Sequence, residues 1–249
     1  MEKTIDLQKA TEKLYSDEHY YGKFGKKFLS NSDIDSLINN PSQFKIPKPE
    51  NINFLFGKAF HELMMFGKTI HNHHVSASTR STKIYKEAVL ENEGQIMFLT
   101  KEWKQVNLLV EKALKNDQLR DIVKSSTATY EVPKIGTVLD DSEILWKCKV
   151  DINDEFIYDL KTTSNLNKFP FSAKLYDYDS QAFVYSKQFQ KAMKFIAIEK
   201  DTGCVGFFDV TDKAYSNGHE KVIKAEENYK KYILNKTENL NNFSKYGFI

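Results

Sequence analysis

Helical periodicity dominates the first half of the chain. Apolar residues recur three and four positions apart at Phe56, Phe60, Leu63 and Met64. This spacing predicts a buried helix that carries His61 beside its apolar face. Over residues 101–124 the apolar positions again repeat with a helical period, which predicts one amphipathic helix.

The pattern then changes to short runs rich in β-branched and aromatic residues. Turn residues separate TATYEVP, SEILWKCKVDI and EFIYDLKTT, which predicts three antiparallel strands. A helix over residues 179–190, two strands in KFIAIEK and CVGFFDVT, and a charged amphipathic helix over residues 212–234 are predicted to follow. This order of elements predicts an α/β fold in which helices flank a central mixed β-sheet.

The chain shows no internal repeat and no linker-like segment. Its 249 residues include 41% hydrophobic and 13% aromatic residues but only 10 Gly and 5 Pro, a composition that excludes bulk disorder. We expect a single domain over residues 1–249, with the core at about 54–210 and an outer helix at 212–234.

Charge and cysteine content exclude several classes of protein. The 36 Lys and Arg residues against 34 Asp and Glu leave a net charge of +2, so a polyanionic partner would have to meet a local patch. Cys148 and Cys204 are too few for a disulfide framework, a four-cysteine zinc site or a four-cysteine iron-sulfur cluster. A polar N-terminus and the lack of a long apolar stretch predict no membrane partner and a cytoplasmic location.

The run KCKVDINDEFIYDLKTT carries the candidate chemistry. Asp159 and Lys161 are two positions apart in a predicted strand and therefore share a face, while Leu160 points the opposite way. A three-residue loop at 154–156 would place Asp151 opposite Asp159, whereas a two-residue turn at 153–154 would shift the carboxylates out of register. The sequence leaves both registers open.

Two neighbouring carboxylates repel each other unless a cation lies between them. Hard divalent cations prefer carboxylate oxygens and water, so this pair predicts a site for one or two Mg²⁺ or Mn²⁺ ions. Lys161 beside such a site would orient the attacking water or hold a phosphate oxygen, which is phosphodiester chemistry. An isolated Asp-x-Lys motif is more often a surface ion pair, so the neighbouring motifs must decide.

Those neighbouring motifs resemble a known family. The segment from Asp151 to Lys161 resembles the PD-(D/E)XK nuclease motif, with Val150 in the place of the Pro in the family name. Other segments occur in the order found in phage recombination exonucleases of the exonuclease VIII (RecE) type. LSNSDIDSLINNPSQFK is similar to the opening helix of that branch, GKAFHELMM resembles its Gly-x-x-x-His element, and DSQAFVYSK resembles its Gln-x-x-x-Tyr element.

The resemblance implies a role for each matched residue. It implies metal ligands at His61, Glu131, Asp151, Asp159 and the backbone carbonyl of Leu160. It also implies catalytic roles for Asp151, Asp159, Lys161, Gln181 and Tyr185, with Gln181 at the edge of the active site and Tyr185 supporting the substrate strand. The plain alternatives are a packed core histidine at His61 and a solvent-facing strand residue at Glu131.

The activity that the resemblance implies is metal-dependent degradation of linear double-stranded DNA from its ends. It implies 5′ to 3′ degradation that leaves 3′ single strands for an annealing protein, in the cytoplasm of a bacterial or phage-infected cell, by a homo-oligomer. The alternative on the same metal core is a structure-specific or restriction-type endonuclease. A non-catalytic DNA-binding protein and an unrelated hydrolase of small phosphates are the remaining classes.

Three polar segments are further candidates for ligand contacts. HNHH at 71–74 lies in a segment without helical or strand periodicity, and we expect an exposed connection there rather than a metal cluster. STRSTK at 78–83 and NLNKFPFSAK at 165–174 combine hydroxyls, amides and cations that suit phosphate oxygens. The second segment directly follows the strand of Lys161 and is the favoured DNA contact.

Overall fold

A five-stranded mixed β-sheet forms the centre of the molecule. The computed structural model describes residues 5–47, 49, 51–69 and 73–245. The strands are β1 (Thr129–Gly136), β2 (Trp146–Asn153), β3 (Ile157–Thr163), β4 (Met193–Glu199) and β5 (Val205–Asp209), in that spatial order. Strands β3 and β4 are parallel, and the other neighbours are antiparallel. The predicted mixed sheet is confirmed.

Helices pack on both faces of this sheet. Across the described ranges they are α1 (Leu7–Lys13), α2 (Asp17–Tyr21), α3 (Ile34–Asn39), α4 (Ile52–Phe66), α5 (Lys83–Glu91), α6 (Thr100–Ala113), α7 (Asp117–Val123), α8 (Phe169–Leu175), α9 (Tyr178–Phe189) and α10 (Asp212–Asn228). Helix α10 continues into π-helical turns over Tyr229–Leu234, which confirms that residues 212–234 are helical. Within these ranges, none of the helices has the length and apolar content needed to cross a membrane.

Two hydrophobic cores lie on opposite faces of the sheet. The α9–α10 core contains Trp146, Cys148, Val150, Phe183, Val184, Phe195, Val222 and Ala225 among its buried residues. The α4–α6 core contains Phe60, Met64, Val106, Leu109, Ile152, Leu160, Ile196 and Ile198. The alternation of Phe195 and Ile196 between the two cores follows from the two-residue period of a strand that is covered on both faces. The predicted α/β class is confirmed.

The register of β2 and β3 is the one that the three-residue loop requires. Ile152 pairs with Tyr158 and Asn153 pairs with Ile157. The loop between the strands is closed by a hydrogen bond of 2.9 Å from the Asp154 N–H to the Phe156 carbonyl. Continued by one step beyond these paired residues, the same register brings Asp151 opposite Asp159.

The side chains of strands β1 and β2 switch from one face of the sheet to the other at Glu131 and Asp151. Val132 and Val150 pack into the α9–α10 core, whereas Tyr130 and Ile152, each two positions away, pack into the α4–α6 core. Residues two apart in a regular strand share a face, so both strands are locally twisted here. Glu131 has a left-handed backbone with φ of 51° within its strand. This twist lies beside the candidate site.

The prediction of one helix over residues 101–124 is wrong in one respect. Helix α6 ends at Ala113 and α7 begins at Asp117, because the Asn116 side chain accepts a hydrogen bond of 2.9 Å from the Leu119 N–H. An Asn at this position accepts a hydrogen bond from a backbone N–H in the first turn of α7. It therefore favours the start of a new helix over an extension of α6.

The segment of HNHH was predicted as an exposed connection, and this is wrong where the structure describes it. His71 and Asn72 lie outside the described residues. His73 is buried with its Nε2 3.3 Å from Glu62 Oε2, and His74 stacks on Trp103 at 5.9 Å between ring centroids. Val75, Ala77, Tyr85 and Met97 form a small core beside them. The short helix expected at the end of this segment is α5.

Candidate active site

Strand β3 presents Asp159 and Lys161 on the same face, as their spacing predicts. Lys161 Nζ lies 2.5 Å from Asp159 Oδ2, and Asp159 is only 4% exposed. The ammonium group also lies 4.7 Å from the centroid of the Tyr178 ring at the start of α9. The buried carboxylate is therefore held against an ammonium group whose side chain is partly exposed to solvent.

Asp151 on β2 lies beside this pair. Its Oδ2 accepts a hydrogen bond of 2.7 Å from the Leu160 N–H and lies 3.5 Å from His61 Nδ1. His61 reaches this position because its neighbours Phe60 and Met64 are buried in the α4–α6 core and fix the rotation of α4. The lone histidine on an apolar helix thus faces a carboxylate, and not only hydrophobic side chains.

The two aspartates have different electrostatic surroundings. Burial raises the pKa of Asp159, and the charge of Asp151 raises it further, against the opposing effect of Lys161. Burial also acts to raise the pKa of Asp151, but the charges of His61 and Lys161 and the Leu160 N–H outweigh it, so that pKa is lowered. Such a separation between neighbouring carboxylates is typical of functional sites.

Gln181 joins the site directly. From the first turn of α9, its Nε2 donates a hydrogen bond of 2.5 Å to Asp159 Oδ1, and the side chain is buried. Tyr185 follows one turn later and packs against the α9–α10 core. Burial raises the pKa of Tyr185, with further contributions from Tyr20, Cys148, Asp159 and Asp151. The structure therefore places Gln181 on a carboxylate and Tyr185 within the packed wall behind it.

Glu131 faces Asp151 across the β1–β2 pair. The flanking pairs are Tyr130 with Ile152 and Val132 with Val150. Burial and the charge of Asp151 raise the pKa of Glu131. The Glu131 side chain is half-buried, with a fractional exposure of 34%, so it lies at the rim of the site beside Asp151.

Sequence reasoning missed a cation at this edge of the site. Lys149 Nζ lies 3.2 Å from Glu131 Oε2 and 2.6 Å from Asp17 Oδ1 at the start of α2. Lys149 is two positions before Asp151, and strand alternation could have placed the two side chains on one face. The link to Asp17 had no sequence signal, because 132 residues separate the two partners.

The donor set suits a hard divalent cation. Carboxylate oxygens, an imidazole and a backbone carbonyl are the ligand types available, and the first of these is the type that Mg²⁺ and Mn²⁺ prefer. Asp159 Oδ2 is buried, and Lys161 meets it outside hydrogen-bonding geometry, so this oxygen has no hydrogen-bond donor among the described residues. Its close neighbour is the Lys161 ammonium group at 2.5 Å, so the position of this oxygen already suits a cationic partner.

The carboxylates are held by protein groups rather than turned toward a common point. Over the described ranges, no three His, Cys, Asp or Glu side chains are gathered closely enough to form a complete metal cage. Asp159 contacts Lys161 and Gln181, while Asp151 contacts His61 and the Leu160 N–H. Side-chain rotation at the existing backbone positions is therefore needed for all predicted ligands to meet one ion.

One of the solved structures similar to this chain shares its fold. A protein from Eubacterium rectale, described as a candidate exonuclease, has a TM-score of 0.64 and 14% identity, with 94% of this chain and 95% of that chain covered. A phage related exonuclease from Haemophilus somnus 129PT has a TM-score of 0.35 and 13% identity, with 84% and 96% covered, and this similarity is too low to support an argument. No curated protein matches the chain. At these identities the first likeness shows the fold alone.

A family model gives the more specific result. The PDDEXK-like domain of unknown function, DUF3799, matches residues 42–240. The matched range includes His61, Asp151, Asp159, Lys161 and Gln181, and it covers most of the chain. This confirms the resemblance to the PD-(D/E)XK nucleases that the motifs indicate, and the chain belongs to the PDDEXK-like family DUF3799.

Proposed function

We propose that this protein is a divalent-metal-dependent exodeoxyribonuclease that acts on the ends of linear double-stranded DNA. The family and the fold support a nuclease. The observation that carries the proposal is the buried pair Asp151 and Asp159 on adjacent strands, with Lys161 against one carboxylate and His61 near the other. Such a cluster of charged groups is costly to bury, and its presence is typical of functional sites.

Asp151, Asp159, Glu131, His61 and the Leu160 carbonyl would hold one or two Mg²⁺ or Mn²⁺ ions. A divalent ion bound there would supply Lewis-acid polarisation of the scissile phosphate and lower the pKa of a coordinated water. Family members of the PD-(D/E)XK type generally use divalent ions, which supports this assignment.

The protein groups supply position and charge. Lys161, held against Asp159, would orient the attacking water or hold a nonbridging phosphate oxygen. Gln181 fixes one oxygen of Asp159 by its hydrogen bond, which leaves the other directed toward Lys161. Tyr185 would support the substrate strand from the wall behind these residues.

The finer features of the proposal come from the resemblance to phage recombination exonucleases. They are 5′ to 3′ degradation, 3′ single strands that an annealing protein takes up, and a homo-oligomer that encloses the product strand. Light scattering of the purified protein tests the oligomer, and a monomer at micromolar concentration would contradict it.

A single cleavage assay tests the proposed activity. Linear duplexes labelled at the 5′ or the 3′ end, and a covalently closed circle, are incubated with the protein in Mg²⁺, in Mn²⁺ and in EDTA. We expect metal-dependent loss of the 5′ label first and an intact circle. Nicking of the circle would identify an endonuclease instead, and absence of cleavage in every metal would contradict the nuclease assignment. Asp159→Asn is the matched inactive control.

A further inference from the structure

An exposed apolar ridge lies next to the candidate active site. It consists of Phe171, Leu175 and Tyr176, which are 71%, 62% and 61% exposed. Phe171 and Leu175 are one helical turn apart on α8 and share a face, and Tyr176 directly follows that helix. Large side chains with this exposure, side by side, mark an interaction surface rather than ordinary scatter.

Helix α8 is firmly attached to the sheet. Phe169 at its start is buried and packs on Phe208 at 4.6 Å and on Tyr178 at 5.9 Å between ring centroids. One aromatic residue of the helix is therefore its anchor to the core. The ridge on its outer side is presented to solvent by a rigid support.

A short series of contacts joins the ridge to the catalytic groups. The Tyr176 and Tyr178 ring centroids are 6.2 Å apart, and Lys161 Nζ lies 4.7 Å from the Tyr178 centroid. Lys161 in turn contacts Asp159. A chain whose phosphate lies at Lys161 would thus have its neighbouring nucleotides within reach of the ridge.

The segment that carries the ridge is positively charged. No acidic residue occurs over residues 162–176, whereas Lys168 and Lys174 are both exposed there. The next acidic residues, Asp177 and Asp179, pair with Lys221 at 2.6 and 2.8 Å. The segment of the ridge therefore carries two positive charges and no negative one, while Lys221 balances part of the charge of the two aspartates that follow it.

Exposed rings interleaved with lysines match the chemistry of unpaired nucleotides. Lysines contact the phosphates, and the rings stack on base faces, which an intact duplex keeps buried within its own stack. A second copy of this chain docked ridge to ridge would bring the same exposed lysines together, whereas a phosphate backbone would neutralise them. Single-stranded nucleic acid is the occupant that satisfies both the aromatic and the cationic groups.

We propose that Phe171 and Tyr176 stack on unpaired bases at the DNA end, beside the scissile phosphate. The inference rests on the proposed function for the identity of the nucleic acid as DNA. It adds a specificity: the protein binds frayed or single-stranded ends in preference to fully paired ones, with Leu175 packing beside the stacked bases.

Binding in EDTA tests this without any need for cleavage. The probes are a duplex with three unpaired nucleotides at one end, carrying 2-aminopurine in that tail, and the same duplex with a blunt end. We expect the wild type to change the 2-aminopurine fluorescence and to bind the tailed duplex more tightly. Phe171→Leu and Tyr176→Leu keep an apolar side chain but remove the ring, and each is expected to weaken tail binding by about tenfold.

Two controls make the test specific to stacking. Tyr176→Phe retains the ring and should bind as the wild type does. Leu90→Ala alters an apolar side chain that is 78% exposed on α5 and should also leave tail binding unchanged. Equal binding of blunt and tailed duplexes by the wild type, or wild-type affinity in both Leu variants, would overturn the proposal.

The two proposals fail in different ways. Ring-dependent binding in EDTA together with no cleavage in any metal would support the stacking surface and contradict the nuclease function. Metal-dependent cleavage together with tail binding that is indifferent to Phe171→Leu and Tyr176→Leu would support the nuclease and overturn the stacking surface.

Discussion

Gln181 and Asp159 join helix α9 to strand β3 by a hydrogen bond of 2.5 Å, in which Nε2 donates to Oδ1. The bond is buried, so the carboxylate oxygen cannot exchange this donor for water. The orientation of Asp159 toward Lys161 therefore depends on a residue that does not itself need to touch the substrate.

The substitution Gln181→Met should reduce cleavage more than it reduces stability. It keeps the side-chain volume but removes the donor, and loss of a partner to a ligand carboxylate typically costs about 10- to 100-fold in activity. Initial cleavage rates and urea unfolding measure the two effects. Gln188→Met is the matched control, because Gln188 lies on the same helix and donates to the carbonyls of Gly136 and Trp146. Equal rates in the two variants would show that the bond does not position Asp159.

The left-handed backbone at Glu131 predicts that Gly at this position is at least as stable as Ala, the reverse of the order at an ordinary strand position. At an ordinary strand position Gly is less stable than Ala by about 0.5 to 1 kcal/mol. With φ of 51° the position favours Gly, so Glu131→Gly should be at least as stable as Glu131→Ala. Urea unfolding of both variants measures this, with Gly and Ala at the exposed Thr129 as the control pair. A less stable Glu131→Gly would contradict the strand twist.

The two cysteines should differ in reactivity. Burial raises the pKa of the Cys148 thiol, and the thiolate is the reactive form, whereas Cys204 is exposed. A disulfide reagent should therefore modify one thiol in the native protein and both after unfolding. The variant Cys204→Ser should be unreactive until it is unfolded. Fast modification of this variant under native conditions would place Cys148 at the surface, against the fold described.

Lys147 predicts a specific pH dependence of stability. It is buried on β2, where its ammonium group donates to the Tyr20 carbonyl and lies 4.0 Å from the centroid of that ring. Burial lowers the pKa of Lys147 from 10.5 to about 8, with Lys45 contributing. The unfolded chain thus binds the proton more tightly, so the stability that this residue contributes rises as the pH rises through 8.

The comparison that isolates this effect is wild type against Lys147→Met. The free energy of unfolding of the wild type should increase relative to that of the variant between pH 7 and pH 9.5. The exposed Lys104 gives the control substitution, Lys104→Met, for which no such relative change is expected. A constant difference between wild type and Lys147→Met over this interval would contradict the burial of a charged Lys147.

Local periodicity was enough to predict the elements that carry the site. The helical spacing around His61, the two-residue spacing of Asp159 and Lys161, and the helix of Gln181 depend on near neighbours in sequence, and the structure confirms the elements. The choice between two registers for β2 and β3 needed the geometry of the 154–156 loop, because both turn lengths were compatible with the sequence.

Other features depend on contacts between distant parts of the chain. The buried His73 lies with its Nε2 3.3 Å from the Glu62 carboxylate on α4, and Lys149 forms an ion pair with Asp17 on α2. Neither pairing has a periodic signature, so the sequence alone could not predict them. The left-handed conformation of Glu131 likewise accompanies the point at which the side chains of β1 and β2 switch from one core to the other. This switch depends on the packing of the whole sheet and has no signal in the local sequence.

Binding of Mn²⁺, followed by electron paramagnetic resonance in the absence of DNA, tests the central claim most directly. The wild type should bind one or two ions. Asp151→Asn and Asp159→Asn should each weaken binding by at least about tenfold, since each removes a carboxylate ligand. Asp141→Asn, at an exposed carboxylate, should bind as the wild type does. Wild-type affinity in both Asp151→Asn and Asp159→Asn would contradict the assignment of this acidic pair as a metal site.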